Sequence, residues 1–137
     1  MIRVVEADLD RLADVLVLWR DADAVTTTTD DLDALQQLLA RDPGALLVAL
    51  DGDQLVGAVI TGWDGWRGAF YRLAVQPAHR RHGIATALVE AGEARVRALG
   101  ARRVAIIEVT DAKGARAFWR SVGYVEQTDV TRAVKNW

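Results

Sequence analysis

No cysteine occurs in the 137 residues, which removes disulfides, thiolate metal sites and a cysteine nucleophile by arithmetic. Histidine is nearly as scarce at two copies, too few for a histidine-rich metal site, so no metal is expected. No run of about 18 uncharged apolar residues is present, and a membrane-spanning helix is therefore not expected. The opening Met1-Ile2-Arg3-Val4-Val5-Glu6 lacks the basic, then apolar, then small-residue order of a signal peptide. Together these absences predict a cytoplasmic protein with no membrane partner. A long cationic block is missing too: 17 Lys and Arg stand against 19 Asp and Glu, for a net charge of −2. That balance argues against a general nucleic-acid-binding surface. The cluster His79-Arg80-Arg81-His82 is the local exception.

What is present is ample for a core. With 51% hydrophobic residues over this length, a single domain spanning 1–137 is the expectation. Residues 2–6 alternate weakly as a first strand. Asp8 then offers an N-cap to a helix whose Leu9, Leu12, Val15, Leu16 and Trp19 recur at helical spacing. The span 21–29, with four consecutive threonines, reads as a loop because their hydroxyls compete for backbone bonds. Asp30 or Asp31 caps a second helix carrying Leu32, Leu35, Leu38 and Leu39, which Pro43-Gly44 ends. From Ala45 the period changes to that of a β-hairpin turning at Asp51-Gly52-Asp53.

A glycine-punctuated loop, 62–68, leads to a strand from about Ala69 to Val75, stopped by Pro77. Residues 83–99 are helical by the spacing of Ile84, Leu88, Val89, Val96 and Leu99, with Gly100 just past the end. A strand at 104–109, a short helix at 112–122 and a last strand beginning at Tyr124 complete the order β-α-α-β-β-β-α-β-α-β. This is a mixed α/β (α+β) fold with a sheet of about six strands and helices on both faces.

The stretch Tyr71 to Leu88 is the most informative, because a strand stops there, turns through a basic loop and enters a helix. The first backbone N–H groups of a helix have no internal acceptor, and the macrodipole adds partial positive charge. Gly83 and Ala85 leave room for a pyrophosphate to approach the main chain, and Arg80 and Arg81 add to the field. The plainer alternative is an ordinary strand-to-helix connection that happens to contain glycine and arginine. The spacing fits neither a Walker loop nor a Gly-x-Gly-x-x-Gly dinucleotide fingerprint.

Arg80-x-x-Gly83-x-Ala85, preceded by Leu73-x-Val75-x-Pro77, resembles the acetyl-CoA signature of the GCN5-related N-acetyltransferase (GNAT) family. The segment Ala115-Arg116-Ala117-Phe118-Trp119-Arg120-Ser121-Val122-Gly123-Tyr124 is similar to the family's second motif, Ala-x-x-Phe-Tyr-x-x-x-Gly-Phe/Tyr. The loop Gly62 to Gly68 further resembles the bacterial YpeA-type branch. The resemblance implies the acyl-CoA N-acyltransferase fold, with acetyl-CoA as cosubstrate and an amine as acceptor. It implies that the Leu73-Ala74-Val75 strand end pairs with pantetheine through its main chain, while the amides of Arg81, His82, Gly83, Ile84, Ala85 and Thr86 hold the pyrophosphate. The thioester carbonyl would then lie near Val75, where a backbone N–H stabilises the oxyanion.

Direct transfer needs a base for the ammonium proton. Glu108 in Ile107-Glu108-Val109 is the candidate, resembling the Leu-Glu-Val strand of acetyltransferases that modify ribosomal protein N-termini. A surface or ion-pairing glutamate is the alternative. The family's acid is often the tyrosine of Phe-Tyr, yet Trp119 stands there, and an indole donates a hydrogen bond but has no accessible ionisation. Ala112 stands where the family has asparagine; Tyr71 and Tyr124 are the remaining phenols. The acceptor pocket is expected from 21–29, 62–68 and the chain's end, with Asp64 attracting a cationic amine and Trp19, Trp63 and Trp66 as aromatic walls. Asp64-Gly65 also reads as an ordinary turn, and Trp19 falls on a buried stripe. A catalytically weak acyl-CoA-binding module is the competing reading, and acetylation of aminoacyl-tRNA is disfavoured by the acidic balance. The short terminal strand suggests completion of the sheet by a second copy, a homodimer.

Overall fold

The structure is a computed structural model that describes residues 1–22, 26–107 and 114–137. It separates into two compact units, Met1–Ile107 and Glu108–Trp137. The first unit is a five-stranded sheet in the order β1-β2-β3-β4-β5, built from β1 (Ile2–Glu6), β2 (Leu46–Asp51), β3 (Gln54–Trp63), β4 (Gly68–Val75) and β5 (Val104–Ile106). The first four pair antiparallel, and β5 lies parallel to β4.

Helix α1 (Leu12–Asp21) follows a 3-10 turn at Leu9–Arg11, where Asp8 accepts the Asp10 N–H. Helix α2 (Leu32–Arg41) is capped by Asp31, whose carboxylate accepts the Ala34 N–H at 2.8 Å; such a cap is worth about 1 kcal/mol. Leu12, Val15, Leu18 and Trp19 of α1 and Leu35 and Leu39 of α2 bury against Leu46, Val48, Ala58 and Ala74 on one sheet face. Helix α3 (Ile84–Leu99) covers the other face: a Cβ on Gly57 would stand 3.0 Å from both Ile84 Cγ2 and Leu88 Cδ1. Leu46 to Leu50 are all buried, which is why β2 reads as a continuous apolar run and not as an alternation.

Two features of β4 bear on the site. Ile60 pairs with Tyr71 and Ala58 with Ala74, so β4 carries an extra residue over two steps of β3. That bulge places Arg72 at φ 57, a left-handed conformation L-residues avoid. β5 pairs only with Gly68, Ala69 and Phe70. Among the described residues, Tyr71 to Val75 therefore have no partner in β5.

The second unit contains α4 (Ala115–Ser121), closed by Gly123. The strand expected from Tyr124 is not formed: 124–137 contain no strand, so among the described residues the sheet has five strands where about six are expected. Glu126 sits instead within 3.8 Å of Arg116 Nη2 and 3.5 Å of Arg120 Nη2, and Val125 is 80% exposed. Among the described residues, no helix is long and apolar enough to cross a membrane.

Candidate active site

The residues expected to hold an anion form a turn after the end of β4. Gln76 N–H returns to the Val56 carbonyl at 2.8 Å, Pro77 opens a 3-10 turn at Pro77–His79, and Arg81 and Gly83 then adopt φ 66 and 77. The first hydrogen bond of α3 runs from Ala87 N–H to the Gly83 carbonyl at 3.0 Å. The amides ahead of it have no helical acceptor, and the positive end of the α3 dipole lies behind them. Arg81, His82 and Gly83 are exposed while Ile84 is buried and anchors the turn. A Cβ on Gly83 would meet nothing within 4 Å, so the space above the turn is open to an incoming group.

Arg80 does not point wholly outward. Its Nε lies 3.4 Å from the Val75 carbonyl, to which it donates, tying the turn to the strand end. His79 Nε2 stands 3.7 Å from Asp51 Oδ2, and His82 Nδ1 lies 3.1 Å from the His79 carbonyl oxygen. Leu73, Ala74 and Val75, which have no partner on the β5 side among the described residues, lead toward this turn, and the Ala74 and Val75 side chains are buried. The structure thus brings Leu73 to Val75 and Arg80 to Thr86 together as one continuous rim.

It does not bring the 63–66 group there. Trp63 ends β3, and Asp64 and Trp66 occupy the β3–β4 connection, at the far end of β4 and about 23 Å from Val75 at a rise of about 3.3 Å per residue. Asp64 Oδ1 accepts the N–H groups of Trp66 and Arg67, each at 2.8 Å. The Arg67 bond, then the Trp66 bond, hold its pKa below the ordinary 3.8. That is an Asx turn, the plainer of the two readings open from sequence. The Arg67 guanidinium lies 3.8 Å above the Trp66 ring, which is 68% exposed.

Sequence reasoning missed a cluster on the α1/α2 face beside the strand edge. The bulge puts Tyr71 and Arg72 on that face in succession. Arg72 Nη2 forms an ion pair with Asp30 Oδ2, and its guanidinium stands 5.6 Å from the Trp19 ring centroid. Trp19 is only 4% exposed, and its buried Nε1 has no hydrogen-bond partner among the described residues. Asp30, expected as an alternative helix cap, takes Thr27 N–H at 2.7 Å and Thr27 Oγ1 at 3.2 Å. The sequence places the 21–29 loop and Trp19 at the acceptor side; what it does not mark is Arg72 and its pairing with Asp30.

In the second unit, Trp119 makes edge-on contacts with Phe118 and Tyr124, at ring-centroid separations of 5.2 and 5.0 Å, and its carbonyl accepts the Tyr124 N–H at 3.0 Å. Glu108 and Ala112 lie outside the described residues. Among the described residues no cluster of three metal-ligating side chains occurs.

Residues 12–124 match the acetyltransferase (GNAT) family. The chain belongs to that family. It is accordingly an enzyme of the acetyl-CoA-dependent N-acetyltransferase class. An acetyltransferase of Sodalis glossinidius is 31% identical over 121 residues, covering 88% of this chain and 85% of that protein. Among solved structures, Ard1 from Thermoplasma volcanium superposes with a TM-score of 0.81 at 19% identity, over 90% of this chain and 82% of that one. The PaiA N-acetyltransferase from Thermoplasma acidophilum, solved in complex with coenzyme A, gives 0.80 at 14% identity, over 94% and 93%. These likenesses establish the fold.

Proposed function

We propose that the enzyme moves the acetyl group of acetyl-CoA onto a primary amine of a small molecule or a protein by direct attack, within one catalytic domain acting in the cytoplasm. One observation carries the reading of the site: Leu73 to Val75, which have no partner on the β5 side of β4 among the described residues, lead through the Pro77–His79 turn to amides that precede the first bond of α3. Polar main chain is thus offered first along an extended edge and then at a helix N-terminus. Coenzyme A presents its groups in that order, the amide-bearing arm and then the diphosphate.

In this reading Leu73, Ala74 and Val75 pair with the arm, Arg81 to Thr86 hold the diphosphate, and Arg80 braces the strand end. A main-chain N–H near Val75 takes the developing oxyanion. The amine nitrogen bonds to the thioester carbon, the C–S bond breaks, and the thiolate collects a proton from solvent. Glu108 removes the surplus proton from nitrogen. Trp119 contributes at most an indole hydrogen bond to the departing sulfur. The acceptor approaches on the α1/α2 face, beside Tyr71, Arg72 and the 26–30 turn, with Asp64, Trp63 and Trp66 at the outer end of β4 as a more distant wall. A homodimer, expected from a terminal strand that is not formed, is tested by mass measurement in solution.

Saturation with acetyl-CoA at about 100 times its Kd should add about 2.7 kcal/mol and raise Tm by roughly 8 to 12 °C. A screen of amines for acetyl-CoA-dependent thiol release then identifies the acceptor. A melting shift without thiol release from any amine would leave a binding module, and no shift at all would refute the site.

A further inference from the structure

Arg72 belongs to two neighbourhoods at once. Its main chain lies in the stretch of β4 that β5 leaves unpaired, immediately ahead of Leu73. Its side chain crosses to the α1–α2 connection and pairs with Asp30, the carboxylate that also holds the Thr27 N–H and hydroxyl. The pair is well shielded, with side-chain exposures of 19% and 11%, and Trp19 backs the guanidinium. The left-handed backbone at φ 57 is strained for an arginine, and such strain persists only where the surroundings over-determine it. Here the surroundings are the β3 register on one side and the Asp30 and Trp19 contacts on the other.

We propose that Arg72 is a positioning residue that couples occupancy of the β4 edge to order in the 26–30 turn, so that acetyl-CoA binding prepares the acceptor side. This rests on the reading that the thioester's arm lies along Leu73 to Val75. A ligand hydrogen-bonded to that edge holds the peptide plane that follows Arg72, and with it the direction of the Arg72 Cα–Cβ bond. The guanidinium is thereby kept on Asp30, and Asp30 on the Thr27 amide. By linkage, anything that orders the turn tightens binding along the edge to the same degree.

Amide hydrogen exchange of residues 26–31 in the full chain, with and without acetyl-CoA and alongside the melting shift, tests the coupling. In the wild-type protein, acetyl-CoA should slow exchange of the Thr27 amide on the order of tenfold. Asp30→Asn removes the charge, and Asp30→Ala removes the acceptor oxygens as well. Both should keep a melting shift, reduced as an affinity weakened up to about tenfold by the same linkage requires, yet lose the added protection, while Arg72→Lys, keeping a cation without the fork, should keep part of it. Unchanged exchange at 26–31 in a wild-type protein that shows the melting shift overturns the coupling, and so does protection that survives in both Asp30 variants. An absent melting shift in the wild type rejects the site reading itself and the coupling with it, so the two failures are told apart.

Discussion

Gly92 of α3 lies so close to Thr61 of β3 that a Cβ on the glycine would stand 2.6 Å from Thr61 Cγ2, and 3.0 Å from Phe70 Cζ. Thr61 cannot retreat easily, since its N–H and Oγ1 both bond the Ala45 carbonyl, at 2.6 and 3.0 Å. The contact sets how deeply α3 sits on the sheet, and so where its first amides stand relative to the end of β4. Gly92→Ala gains about 1 kcal/mol of helix propensity but forces an overpacking of about 1–3 kcal/mol. We expect a net loss of up to about 2 kcal/mol, seen as a Tm lower by as much as roughly 8 °C in a thermal melt. A more stable variant would show that α3 can lift from β3 without penalty.

Gly83 answers to a different demand. Its φ of 77 favours glycine, and the space beside it is open, so a side chain there meets an incoming anion before it meets the protein. Gly83→Glu should abolish the rise in Tm produced by acetyl-CoA, because a carboxylate stands where a phosphate must. Gly83→Ala, adding left-handed strain of about 1–2 kcal/mol and only a methyl, should lower Tm and reduce the shift in part. A full shift in the Glu variant would remove the turn from the site.

This turn was readable in the residue order because its causes are local: a proline stop, a glycine that can take positive φ, and an apolar residue that anchors the first turn of α3. The Asp31 cap and the Gly100 ending are legible for the same reason. The Arg72 bulge was not, since it arises from a mismatch in count between two strands, and nothing in Tyr71-Arg72-Leu73 marks arginine for a left-handed conformation. Nor was the missing final strand. Tyr124 and Val125 carry β propensity, but a strand also needs an edge to join, and Glu126 is held by arginines of its own preceding helix.

Asp64 provides a pH test confined to one carboxyl group. The Arg67 and Trp66 amide bonds lower its folded pKa below 3.8, so its contribution to stability is fully present above the unfolded value and lost as pH falls through the depressed one. Carboxyl-carbon NMR should find it titrating below 3.8, and its chemical shift should not respond to a saturating amine acceptor if it serves only the turn. A response confined to Asp64 would make it a direct contact of the acceptor in addition to the turn.

Trp119 occupies the position where the family resemblance expects a phenol, between two aromatic rings that fix its indole edge-on. Trp119→Tyr introduces an acid of pKa near 10 at some loss of packing, on the order of 1 kcal/mol. If thiolate departure limits turnover, kcat should rise several-fold in steady-state assays while the KM for acetyl-CoA changes little. An unchanged kcat would place the slow step elsewhere, at attack or release.

Glu108 is assigned as base through the strand motif it resembles, and its role carries a signature in pH. An alkylamine acceptor with a pKa near 10 is an ammonium at neutrality, so a base is needed there and becomes dispensable as pH rises toward that value. Glu108→Gln should therefore reduce kcat/KM by about 10²–10³ near pH 7, with the deficit shrinking toward pH 10. The deficit is fully expressed below the amine's pKa and lost above it, which is the sense required of a proton acceptor. A deficit of equal size at every pH would instead make Glu108 a binding or packing residue, and the proton would have to leave through water.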